Sequence, residues 1–111
     1  MRLQIYVPKA QAERWSPDEG SISFGELQKR LVNIAGGITV TQATGHWAGA
    51  RDGYVQEAVL IVEVLAEHGQ FSSPFVQGRL WNLLRCYAAQ LLRQGEESVL
   101  IVQDNEPTLI T

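Results

Sequence analysis

Residues 45–57, GHWAGARDGYVQE, lie between two stretches that carry the marks of β-structure, and their reading decides the fold. Upstream, ITVTQAT is rich in β-branched residues; downstream, AVLIVEVL continues as a long apolar-rich run. The intervening AGARDG supplies the small residues, Asp and Gly of a tight reversal. The economical reading is a hairpin. With the turn centred near Arg51, Trp47 falls across from Val55 and Gly45 across from Glu57.

Strand parity then separates two faces. In the second arm, Ala58, Leu60, Val62 and Val64 make one purely apolar side, whereas Val55, Glu57, Val59, Ile61, Glu63 and Leu65 make a mixed one. The apolar side belongs under a helical layer, and the mixed side faces away from it.

Working outward, Leu3, Ile5 and Val7 alternate with Arg2, Gln4 and Tyr6, a strand ended by Pro8. Residues 9–20, KAQAERWSPDEG, read as a loop whose Trp15 folds back on the core. SFGELQKRLVNIAGG opens with Ser23 and Glu26 in capping-box spacing, puts Phe24, Leu27, Leu31 and Ile34 on one stripe, and stops at two glycines. HGQFSSP is a second turn-rich loop, with Ser73 as N-cap and Pro74 as first helical residue. Val76, Leu80, Leu83, Leu84, Tyr87, Ala88 and Leu91 follow at helical spacing as far as Arg93; Arg79, Arg85, Gln90, Arg93 and Gln94 read as its solvated face. ESVLIVQD is a last strand, and NEPTLIT a tail over residues 105–111, broken by Pro107. The order strand, helix, strand, strand, helix, strand is that of ferredoxin-like α+β domains, βαββαβ. It predicts a four-stranded antiparallel sheet with two helices on one face, in a single domain over residues 1–111.

Composition narrows the function classes. Nine basic against twelve acidic residues give a net charge of -3, and no basic run offers a field for a phosphate backbone, so no nucleic-acid partner is expected. The longest apolar run, AVLIVEVLA, is interrupted by Glu63 and is too short to cross a bilayer as a helix, and the N-terminus lacks the apolar core of a signal peptide. A cytoplasmic protein without a membrane partner is expected. Cys86, the one cysteine, reads as a small buried hydrophobe, and no Cys or His pair has metal-ligand spacing, so no metal and no cofactor are expected.

The candidate surface is the mixed face. Tyr6, Trp47, Glu57, Ile61 and Glu63 share it, with Arg51 at the turn, and these six are the candidate ligand or partner contacts. So apolar a face calls for cover, by a second copy in a sheet-to-sheet homodimer, by the tail, by a small molecule or by a partner protein. Glu57 is the most suggestive acid: beside Gly45 and Trp47 its pKa is expected to rise, as for a general base, unless it accepts from the Trp47 indole or pairs with Arg51. A lone carboxylate is not a catalytic set, and no catalytic residue is assigned. His46 is expected on the helix side at the end of the core, away from Glu57, and His68 in a solvated loop.

GGITVTQATGHWAG, VQEAVLIVEVL and YAAQLLRQGEESVLIV together resemble a family of small bacterial proteins of unassigned function, with Gly-[Ile/Leu]-Thr, Gly-x-Trp, a Glu opening a strand, a helix ending in Gln, and Ser-Val-Leu. The resemblance spans most of the chain from Gly37 onward. It implies the ferredoxin-like fold, matches Gly45, Trp47, Glu57, Ser98 and Val99 to that pattern, and assigns no activity. Many relatives look exported whereas this chain lacks an export signal, and QGEESV carries an insertion relative to the pattern.

On these grounds the expected function is a dimeric, non-enzymatic domain that binds a ligand or protein through the open sheet face or the adjoining loop 9–20. One rival is a small dimeric α/β-barrel-type enzyme with Glu57 as proton acceptor. Another is a mobile-element-encoded inhibitor or adaptor.

Overall fold

The computed structural model describes residues 1–14, 20–48, 53–66 and 69–111. β1 (Arg2–Pro8) leads into a short helix α1 (Lys9–Glu13), and α2 (Phe24–Ala35) precedes the hairpin of β2 (Thr39–Trp47) and β3 (Val55–Leu65). A 3-10 turn (Gly69–Ser72) precedes the long helix α3 (Pro74–Arg93), and β4 (Val99–Gln103) and β5 (Glu106–Ile110) close the chain. The strands form one five-stranded sheet in the order β2-β3-β1-β4-β5, antiparallel throughout. The expected four-stranded sheet is therefore corrected to five.

The hairpin register is the expected one, with Trp47 opposite Val55 and Gly45 opposite Glu57. Parity holds as well. Val62 and Val64 pair with Ile5 and Leu3 and enter one buried cluster with Leu27 and Leu31 of α2, Leu80, Leu84 and Leu91 of α3, and Val99 and Ile101 of β4. Both long helices therefore lie on one sheet face. Ser23 caps α2 by accepting from the Glu26 N–H at 3.1 Å, Gly36 ends it at φ 88°, and Ser73 caps α3 by accepting from the Val76 N–H at 3.2 Å. No helix among the described residues is long and apolar enough to cross a membrane.

Four expectations are corrected. The loop after β1 begins as a helix, because KAQAE is built of strong helix formers and Lys9 sits 3.8 Å from Glu13 one turn on; Trp15 and His68 lie outside the described residues. The tail is a strand: Asp104 and Asn105 take positive φ (48° and 68°), as a two-residue hairpin turn requires, and Pro107 is tolerated because β5 is an edge strand with no donor needed on its outer side. It extends the sheet rather than covering the open face. Cys86 is exposed, on the outer surface of α3. Gln90, read as solvated, is 5% exposed and doubly bonded to Ile22, donating to its carbonyl and accepting from its N–H at 2.8 Å each. A side-chain amide there replaces the backbone partners that the segment entering α2 lacks.

Leu84 is wholly buried between α3 and the sheet. Leu84→Ala is expected to cost roughly 2–5 kcal/mol, read as a lowered denaturant midpoint at unchanged slope.

Candidate functional site

The β2–β3 hairpin outruns the rest of the sheet. Pairing of β3 with β1 stops at Pro8 opposite Val59, whereas β2 follows β3 out to Val55. That geometry leaves Ala58 exposed and Leu60 only half-buried, although both carry the parity of the core. On the open side, Gly45 and Trp47 are two residues apart and so share a face. The indole folds back along the strand over Gly45, where a β-carbon would collide with its six-membered ring. The Gly-x-Trp spacing thus lays a 44% exposed aromatic ring beside the strand position facing Glu57.

Below this arm opens a cleft of about 990 Å³. β1 contributes Tyr6 and Pro8, residues 43–48 and Val55, Glu57 and Val59 form the hairpin wall, residues 95–98 approach from the α3–β4 connection, and Leu100 and Leu109 continue the surface. Among the described residues that line it stand three carboxylates, Glu57, Glu96 and Glu97, and neither Lys nor Arg. Burial holds the Glu57 carboxyl above the ordinary glutamate range and the nearby Glu96 charge pushes it further; no hydrogen bond contributes. The cleft is aromatic, apolar and negative, suited to a flat ligand that carries positive charge.

Of the six expected contacts, the structure brings Tyr6, Trp47 and Glu57 together here. Ile61 and Glu63 lie farther along the same face. Ile61 is half-buried between Tyr6 and Thr41, and Glu63 accepts from Arg2 Nε at 2.7 Å and from Gln4 at 3.3 Å, which holds its carboxyl below the ordinary range. Arg51 lies outside the described residues. His46 faces away from Glu57, as expected from its register opposite Gln56, but it is exposed and hydrogen-bonded to the Tyr54 hydroxyl rather than set at the end of the core. The hairpin has run past the helices by that point, so no core remains for it to pack on.

Glu96 and Glu97 escaped sequence reading because they sit in a connection 39 and 40 residues from Glu57, and only the sheet order carries them alongside. One local signal was legible, the Gly95 after α3. At φ 110° it lets its own N–H bond Leu92 and the Glu96 N–H bond Leu91, the reciprocal pattern of a glycine-terminated helix.

No protein-family profile matches the chain, and no curated protein matches its sequence. Among solved structures, it is similar to phage SAM lyase in complex with S-methyl-5′-thioadenosine, with a TM-score of 0.58 and 16% identity, covering 99% of this chain and 88% of the lyase. The apo phage SAM lyase is matched likewise, with a TM-score of 0.57, 16% identity and coverage of 99% and 87%. At that identity the likeness is one of fold. It corrects the expectation of a non-enzymatic binding domain, because these proteins of the same architecture over nearly the whole chain are lyases, and lyases are enzymes.

Two predictions come from this geometry. Gly45→Ala forces the Trp47 ring off the strand; a destabilisation of about 1–3 kcal/mol is expected, together with faster acrylamide quenching of Trp47 in a chain whose other two tryptophans are phenylalanine. The second concerns opposite pH trends. Glu63, with its folded pKa lowered, stabilises above the unfolded value near 4.3 and loses that contribution as pH falls, so Glu63→Gln should cost under about 1 kcal/mol at pH 7 and less at pH 3.5. Glu57, with its folded pKa raised, contributes stability only in acid and loses it as pH rises, so Glu57→Gln should gain on wild type between pH 4 and 7. Denaturant titrations at pH 3.5, 4 and 7 check both signs.

Proposed function

We propose that the cleft binds a sulfonium nucleoside of the S-adenosylmethionine type and that the chain is a lyase breaking a carbon–sulfur bond of it. The carrying observation is the cleft itself, about 990 Å³ between Trp47, Tyr6 and the apolar strand residues, with Glu57, Glu96 and Glu97 as its charged groups. An adenine-sized ring is offered aromatic surface, and a cationic sulfur is offered carboxylates in a partly dehydrated setting where charge interactions strengthen. The similarity in fold to phage SAM lyase, one structure of which contains S-methyl-5′-thioadenosine, supports the same reading. In such a cleavage the sulfur leaves with the electron pair of the broken bond and becomes an uncharged thioether. The carbon it leaves is satisfied within its own fragment, by ring closure or by loss of a proton, so no co-substrate is required.

Glu57 is assigned to hold and orient the cation. Partial burial raises its carboxyl, and a positive charge beside it would relieve that cost, so binding energy is directed to the charged centre. Within this reading the first four strands and the two long helices form a ferredoxin-like unit, supported by the order β2-β3-β1-β4, to which β5 is added.

Purified protein incubated with S-adenosylmethionine is expected to release S-methyl-5′-thioadenosine, read by reversed-phase chromatography. Glu57→Gln should lower kcat/KM by at least ~100-fold, the scale of losing one charge-stabilising group. No thioether product from folded wild-type protein would overturn the assignment.

A further inference from the structure

Resting on that reading, we propose that Glu96, fixed in the cleft by Gln11 of α1, is the residue that selects a positively charged sulfonium ligand over its uncharged thioether counterpart. Glu96 is placed twice. Its backbone is held at the end of α3, where Gly95 adopts φ 110° and the Glu96 N–H reaches the Leu91 carbonyl at 3.1 Å. Its side chain is held by Gln11, whose Nε2 donates to the Glu96 Oε1 at 3.2 Å. The Gln11 amide is locked in that sense, since turning it over would aim its carbonyl oxygen at the carboxylate.

Half-buried Glu96 lines the same cleft as Glu57, from 39 residues further along the chain. Two carboxylates on one cavity repel each other, and the Glu96 charge adds to burial in raising the Glu57 carboxyl. A ligand with a fixed cation removes the repulsion and gains attraction from both, whereas a neutral thioether of nearly the same shape does neither. The adenosine portion is common to both ligands and cannot discriminate between them. Discrimination therefore falls to the charges, and Glu96 is the charge whose placement needs a dedicated partner. α1 thereby acquires a role: a one-and-a-half-turn helix without a side-chain N-cap carries the amide that steers this carboxylate.

The test uses the whole chain and two ligands that are not cleaved. Sinefungin carries a protonated amine where the substrate carries its sulfonium; S-adenosylhomocysteine has an uncharged sulfur there. Calorimetric titration of wild type is expected to show sinefungin preferred by ~10-fold or more, about one unit-charge interaction in a partly exposed site. Glu96→Gln should reduce that preference to within ~3-fold by weakening sinefungin alone, with S-adenosylhomocysteine affinity unchanged and the thermal midpoint not lowered. Gln11→Ala, which leaves the carboxylate in place but unsteered, should fall between the two. A preference that survives Glu96→Gln overturns the inference while leaving the lyase reading intact, as does equal weakening of both ligands. Wild-type protein that binds neither ligand overturns the lyase reading, and the selectivity inference falls with it.

Discussion

Side chains alternate along a β-strand, and in β3 that alternation divides the molecule. Val62 and Val64 point into the cluster built with Leu3, Ile5 and the apolar stripes of α2 and α3, while Glu57 and Glu63 point the other way. A shift of one residue would bury Glu63 under the helices and strand Val62 and Val64 in water, at a cost of several kcal/mol for the unpaired buried charge. The register of β2 and β1 on β3 is thereby fixed, and with it the open face on which the cleft stands.

The open face does two different things along its length. Near the middle, Glu63 is neutralised by Arg2 and assisted by Gln4, an exposed arrangement that favours the ionised carboxylate. Toward the hairpin, Glu57 has no cation beside it among the described residues and instead shares its cavity with Glu96. The same residue type on the same strand thus has its pKa moved in opposite directions, up at Glu57 by burial and then the Glu96 charge, down at Glu63 by the Arg2 hydrogen bond. Glu57 is the carboxylate that the proposed cationic ligand would relieve, whereas Glu63 is already satisfied by Arg2.

The Trp47 indole over Gly45 joins these two levels. Glycine is needed there because the ring occupies the space of a β-carbon, not for any unusual backbone angle. The ring in turn gives the hairpin arm an apolar surface where the helices no longer support it. The exposed aromatic, the raised carboxylate and the apolar residues of β4 and β5 meet only because the hairpin outruns β1 and the chain returns through residues 95–98 beside it.

Local chemistry in the sequence was enough to place the hairpin and its register, the caps at Ser23 and Ser73, the helix stop at Gly36 and the sorting of β3 into two faces, because each rests on residues within a few positions of one another. It also marked Tyr6, Trp47 and Glu57 through parity alone. Tertiary structure decided what parity cannot reach. β5 forms because β4 offers an edge that tolerates Pro107, and Gln90 is buried because the segment before α2 lies over it. Above all, Glu96 enters the cleft from 39 residues beyond Glu57, and Gln11, 46 residues before Glu57, reaches the Glu96 carboxylate, along paths set by the strand order. Short-range patterns encode which way a side chain points; which distant charge it meets depends on how the strands are ordered, and no local pattern carries that.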